Sequence, residues 1–202
     1  GILQAAREAG VRRAVFISTT AIFTRLNAGS KTVRLAAEDA VASSGLDWTI
    51  LRPTMIYGSN RDRNMWRLAR WLRILPIFPV FGDGRCLMQP IFVDDVAQAV
   101  SAALPCERAA GKSYNIAGKH PQPYNEIIDT VVAQLKRRVW KIHLPAAPMI
   151  RLLRTAERLG LPLPLKAEQI ERLNEDKAFD YSQAAADFGF APRTFAEGIR
   201  QE

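Results

Sequence analysis

Between Ala14 and Gly58 the chain reads AVFISTTAIFTRLNAGSKTVRLAAEDAVASSGLDWTILRPTMIYG. The AVFIS run is β-branched and aromatic, bounded by polar residues, and reads as a buried parallel strand. A hydroxyl cluster, Ser18-Thr19-Thr20, stands at its carboxyl end. A helix is expected from about Ser30 to Ser43, followed by a second buried strand, DWTILRP. Two parallel strands need a crossover between them, usually a helix, so the segment is a β-loop-α-β unit. In an open α/β sheet, ligands sit outside the carboxyl ends of the strands. The hydroxyl cluster and Arg52-Pro53 therefore mark the expected site.

These residues resemble the extended short-chain dehydrogenase/reductase family, which includes NAD-dependent nucleotide-sugar epimerases and dehydratases. That family has Ser/Thr after one strand, a Tyr-x-x-x-Lys pair on the next helix, then an LRP…YG segment. Lys31 fits the lysine and LRPTMIYG fits the segment, whereas the tyrosine position holds Asn27. The resemblance implies NAD or NADP as cofactor, with Ser18 and Lys31 on the ribose side. It implies that Pro53, Thr54, Met55 and Ile56 line the nicotinamide through their backbone. Thr19 or Thr20 would orient a substrate oxygen, and Lys31 would lower the pKa of a proton-transferring phenol. An amide at position 27 carries no proton near neutral pH, so Tyr57, in the IYG turn, is the candidate replacement.

A second block, ILPIFPVFGDGRCLMQPIFVDDVAQAVSAAL, resembles the family's proline-rich loop, GDG turn and VDD-Val-Ala helix start. Asp94 or Asp95 reads as the N-cap of that helix. Related UDP-sugar epimerases have a phosphate-binding arginine four residues after the turn; here Met88 stands there, followed by Gln89. Asn27 and Met88 together resemble an atypical branch, which includes the NADPH-binding accessory subunit of respiratory complex I.

The segment from Ser59 to Arg73 interleaves Arg63, Arg67, Arg70 and Arg73 with Trp66 and Trp71 at helical spacing. Three readings fit it: a phosphate-binding face, with Arg63, Arg67 and Gln89 on the substrate; a membrane-surface helix; or arginine stems lying over rings. A net charge of +8 over 202 residues favours an anionic partner. No motif supports nucleic acid, and a membrane surface ranks below a nucleotide-sugar-like substrate. Two cysteines and two histidines without metal spacing exclude a conventional zinc site and suit a reduced, cytoplasmic protein.

The opening GILQAAREAGVRR reads as a helix stopped at Gly10. The strands are too few to cover both sides of a parallel sheet, so the chain is expected to be a fragment lacking the half with the glycine-rich phosphate turn. Gly82-Asp83-Gly84 opens no helix and does not supply that turn. After Pro105 come a short strand at SYNIAG, a helix over PYNEIIDTVVAQLKRR, a strand at VWKIHLP with His143 as a structural residue, and further helices.

The expected fold is α/β: the second half of a Rossmann-type doubly wound parallel sheet plus a small mixed α/β C-terminal substrate lobe. Residues 1–105 form the first part and 106–202 the lobe, with a contribution from 59–90. The leading functional expectation is an NAD(P)-dependent epimerase/dehydratase-like oxidoreductase. Its rival is a non-catalytic NAD(P)H-binding module acting through a protein partner. The helix from Ser30 to Ser43 is the family's usual dimer face, so a homodimer is expected there, although Arg34, Glu38 and Asp39 also suit solvent.

Overall fold

The computed structural model describes every residue except 27–28, 60–61, 63, 162–164 and 202. Helix α1 (Ile2–Glu8) leads into β1 (Arg13–Ile17), α2 (Gly29–Ala42) and β2 (Asp47–Pro53). β1 and β2 pair in parallel, Val15 opposite Thr49, as the expected crossover requires. β7 (Lys112–Ile116) adds in parallel to the other side of β2, with Leu51 opposite Tyr114. Central β2 therefore buries Thr49, Ile50, Leu51 and Pro53. The sheet order is β1-β2-β7.

Among the described residues β1 has only β2 beside it in the sheet, and Ile17 is 53% exposed. One expectation changes here. The strand at SYNIAG, assigned above to the lobe after Pro105, is β7 and belongs to the main sheet. Its ladder continues through Pro53, opposite Ile116, so the proline does not end the pairing.

Shorter pairs surround this sheet. β3 (Ile56–Tyr57) pairs with β6 (Ile91–Phe92), and β5 (Leu87–Met88) pairs antiparallel with β8 (Gln122–Pro123). β4 (Ile77–Phe81) pairs in parallel with β9 (Trp140–Leu144). The intervening helices are α3 (Met65–Ile74), α4 (Val93–Ala103), α5 (Tyr124–Gln134), α6 (Ala146–Arg158), α7 (Ala167–Leu173), α8 (Ser182–Phe188) and α9 (Phe195–Ile199). None of the described helices is long and apolar enough to cross a membrane.

Apolar side chains gather in three groups. One joins β3, α3, β4, α5 and α9 around Tyr57, Leu72, Val80, Ile128 and Ile199. A second packs α4 and α8 on the sheet through Leu51, Ala99, Tyr114, Ile116 and Phe190. The third joins α6 to α7 through Leu153, Ala167 and Ile170. Arg13 ties the start of β1 to the second group by donating to the carbonyls of Ala103 (2.7 Å) and Leu104 (3.1 Å), which closes the end of α4.

Asp94 and Asp95 do not cap α4. The cap position is Phe92 and no side chain bonds the first turn, so both aspartates lie inside the helix. Asp95 is 4% exposed and instead accepts from the Arg193 guanidinium (2.9 Å) and backbone N–H (3.0 Å). That fastens the C-terminal segment onto α4.

One close backbone approach permits only glycine. A Cβ at Gly118 would lie 2.0 Å from the carbonyl oxygen of Pro90, and backbone yields less readily than a side chain. Gly118→Ala is expected to lower stability by about 2–3 kcal/mol through overpacking. Urea titration by circular dichroism should show an earlier midpoint with an unchanged slope.

Candidate functional site

The carboxyl ends of β1 and β2 carry Ser18, Thr19, Thr20, Pro53 and Thr54. Ser18 N–H donates to the Leu51 carbonyl at 2.7 Å, extending the pairing one step beyond β1. Thr19 is extended and its Oγ1 accepts from Ala21 N–H (3.2 Å), capping a 3-10 turn over Thr20–Phe23. Thr20 is buried, and its hydroxyl points at the Pro53 carbonyl (3.4 Å). The structure thus joins the hydroxyl cluster to the LRP end through protein contacts.

An open depression lies between β1, β2 and α2. Phe16, Ile17, Ile50 and Val41 supply its apolar surface; Ser18, Thr19, Arg34 and Glu38 supply its polar groups. Glu38 is not the solvent-facing residue the sequence suggested. It is 8% exposed and accepts from Arg52 Nε at 3.1 Å on both oxygens and from Nη2 at 2.5 Å. Burial opposes its charge, but hydrogen bonds from Arg52 and Ser18 and the Arg52 charge together hold the carboxyl below the usual glutamate range. The guanidinium also lies over the Phe23 ring, 5.4 Å from its centre.

Lys31, on the first turns of α2, donates from Nζ to the Thr24 carbonyl at 2.8 Å. Glu175 holds the same loop from the far end of the chain, accepting from Thr24 Oγ1 (2.7 Å) and Arg25 N–H (2.6 Å). Phe179 stacks near Phe23, ring centres 5.7 Å apart. The sequence reading missed Glu175, and no local pattern marks it, since its partners lie 150 and 151 positions away.

The segment following β2 is more internally committed than expected. Thr54 N–H donates to Ile116 and its hydroxyl to the Gln89 carbonyl (2.5 Å), while the Met55 carbonyl accepts from Ile91. Ile56 is the exposed member of this stretch. Gln89, read as a substrate contact, is 3% exposed. Its amide donates to Gly118 O (2.7 Å) and accepts from Phe179 N–H (2.7 Å), which makes it an internal clasp. Met88 is buried beside it. Arg67 is exposed on the face of α3 opposite Met65, Leu68 and Leu72, while Arg70 lies over the Trp66 ring at 5.5 Å. Arg63 and Asn27 lie outside the described residues. His143 is exposed and shares a 3.2 Å hydrogen bond with Asn125.

Tyr57, the candidate replacement phenol, lies in the apolar core. It is 1% exposed, packs edge-on against Phe92 and tilted against Phe195, and donates to the Phe195 carbonyl at 3.3 Å. The other three tyrosines are also engaged elsewhere. Tyr114 donates to Asp187 at 2.6 Å; burial first, then that carboxylate, raise its pKa. Burial pushes Tyr124 up to about 12. Tyr181 donates to the Lys119 carbonyl at 3.2 Å.

The α/β fold agrees with what comparison with known proteins finds. The NAD dependent epimerase/dehydratase family matches residues 1–117. The chain belongs to that family. One relative, the mitochondrial NADH dehydrogenase [ubiquinone] 1 alpha subcomplex subunit 9 of Arabidopsis thaliana, is 28% identical over 191 residues, covering 92% of this chain and 46% of its own length. Another, the 2-alkyl-3-oxoalkanoate reductase of Stenotrophomonas maltophilia, is 28% identical over 178 residues, covering 83% and 52%. The chain therefore spans about half the length of these curated relatives. Among solved structures, UDP-glucuronic acid 4-epimerase from Bacillus cereus in complex with NAD aligns with a TM-score of 0.76 at 18% identity, over all of this chain and 63% of that one. That likeness establishes the Rossmann-type α/β fold of the NAD dependent epimerase/dehydratase family for these residues.

Proposed function

We propose that the protein binds NAD(P) at the carboxyl ends of β1 and β2 and keeps it as a bound ligand, acting through a protein partner rather than turning over a nucleotide sugar. The observation that carries this reading is the fate of the tyrosines. Asn27 occupies the family's proton-transfer position, and all four tyrosines of the chain are engaged elsewhere. The donor set suits the ribose and nicotinamide side of the cofactor: Lys31 brings an ammonium, Ser18 and Thr19 bring hydroxyls, and the adjoining depression offers both apolar and polar groups. The cofactor would supply hydride chemistry in a family enzyme; these residues would hold and orient it. The similarity to a protein named as a subunit of a larger complex supports a protein partner.

One observation favours the rival reading, an epimerase/dehydratase or reductase. Thr19, Thr20 and Lys31 are all retained, and in such an enzyme Thr19 or Thr20 would orient a substrate oxygen. Titration of the full-length protein with NADPH and NADH, followed by nicotinamide fluorescence, tests the binding site. Lys31→Ala is expected to weaken binding by about 10- to 100-fold, the effect of losing a charged hydrogen bond. Unchanged affinity would remove Lys31 from the site.

A further inference from the structure

The membrane-surface reading of the Arg/Trp segment can be taken further, because the structure joins it to a second exposed surface. β4 and β9 form a two-stranded parallel ribbon in which Ile77 stands opposite Trp140 and Pro79 opposite Ile142. Alternate residues of a strand share a face, so these four side chains form one patch. Ile77 is 49% exposed, Ile142 47% and Trp140 76%. The opposite face of β4 carries Phe78 and Val80 into the main core. α3 is continuous with this patch. Its exposed Trp71 and Ile74 run directly into Ile77, Trp140 N–H donates to the Pro76 carbonyl at 2.9 Å, and the Arg137 guanidinium bonds the Arg73 carbonyl.

The charge on the elements that form this apolar surface is basic, although one of their lysines, Lys141, is paired with the exposed Asp129 of α5. Residues 65–81 and 135–145 contain seven basic residues and no acidic one, within a chain whose net charge is +8. Among them Arg67, Arg70, Arg73, Lys136 and Arg138 are exposed and form no ion pair among the described residues. A partner protein's apolar surface would cover Trp140 and Ile142, but it would not call for five unpaired basic residues beside them. An anionic bilayer matches both features. Tryptophan sits well at the headgroup level, and basic residues near the surface are attracted to anionic lipid.

We infer that the face formed by α3, β4 and β9 docks the protein on an anionic lipid surface, with Trp71, Ile74, Ile77, Trp140 and Ile142 entering the interface and the arginines meeting the headgroups. This does not depend on the reading of the dinucleotide site, which lies at the ends of other strands.

Co-sedimentation of the full-length protein with large unilamellar vesicles tests the proposal, using phosphatidylcholine alone or with about 30% phosphatidylglycerol. Binding is expected on the anionic vesicles, decreasing steeply as salt rises from about 0.05 to 0.5 M. Brominated acyl chains should quench tryptophan fluorescence in the same samples. Trp140→Ser and the triple variant Arg67→Ala/Arg70→Ala/Arg73→Ala, all at exposed positions, should each fold and weaken vesicle binding by at least about tenfold. Equal binding to neutral vesicles, or folded variants that bind as the parent does, would overturn the proposal. So would a concentration-dependent dimer lost in Trp140→Ser with no binding to vesicles, which would assign the face to a second copy of the chain.

Discussion

Asp95→Ala is expected to lower the unfolding free energy by about 3–5 kcal/mol, the cost of leaving one member of a buried ion pair alone. The Asp95 side chain is 5% exposed and that of Arg193 21%. Removing the carboxylate deprives the guanidinium and the Arg193 N–H of their acceptor together. The guanidinium also lies 4.4 Å from the centre of the Phe92 ring, within the group that includes Tyr57 and Phe195. The loss should therefore loosen the C-terminal segment as well as α4. A melting temperature lower by about 10 °C is expected for a chain of this size. Asp95→Asn keeps acceptor geometry on one oxygen and should cost less. A melting curve for Asp95→Ala that overlays the parent would show that this ion pair does not hold the segment after Pro192.

Glu38→Ala should have the next largest effect, about 3 kcal/mol at neutral pH, because it strands the Arg52 guanidinium between α2 and β2. This pair also gives the protein an acid-side signature. The folded-state pKa of Glu38 lies below its unfolded value. Its contribution is therefore complete above the ordinary glutamate pKa, about 4.3, and is lost as pH falls through the lower folded-state value. The stability difference between the parent and Glu38→Gln should be constant near neutrality and shrink below about pH 4. A difference that grows on acidification would contradict the assignment. Arg52→Ala should reproduce the pattern, since it removes the same pair from the other side.

The parts of this fold written in local pattern were legible in the sequence. The apolar runs at Ala14 and Asp47, with a helix between them, specify a parallel crossover, and the pairing of Val15 with Thr49 follows from it. The meeting of the hydroxyl cluster with the LRP end was legible, but the engagement of the individual side chains was less so. Tyr57 reads the same whether its ring faces a ligand or a core; only the approach of Phe195, 138 positions on, decides for the core. Gln89 similarly spends both ends of its amide on partners 29 and 90 positions away. Asp95 has the chemistry of a cap but sits inside the helix, and Arg193, 98 positions on, determines its role. Each difference comes from a contact distant in sequence, which periodicity and motif spacing do not encode.

The most direct test of a bound but unreacted dinucleotide is single-turnover absorbance of the full-length protein loaded with NAD(P)H, mixed with nucleotide sugars and 3-oxo acyl compounds. The account predicts stoichiometric binding and an unchanged reduced-nicotinamide band with every compound. Oxidation of the bound nicotinamide, with a new product by NMR and with loss of the reaction in Thr20→Val, would contradict it and make the protein an oxidoreductase.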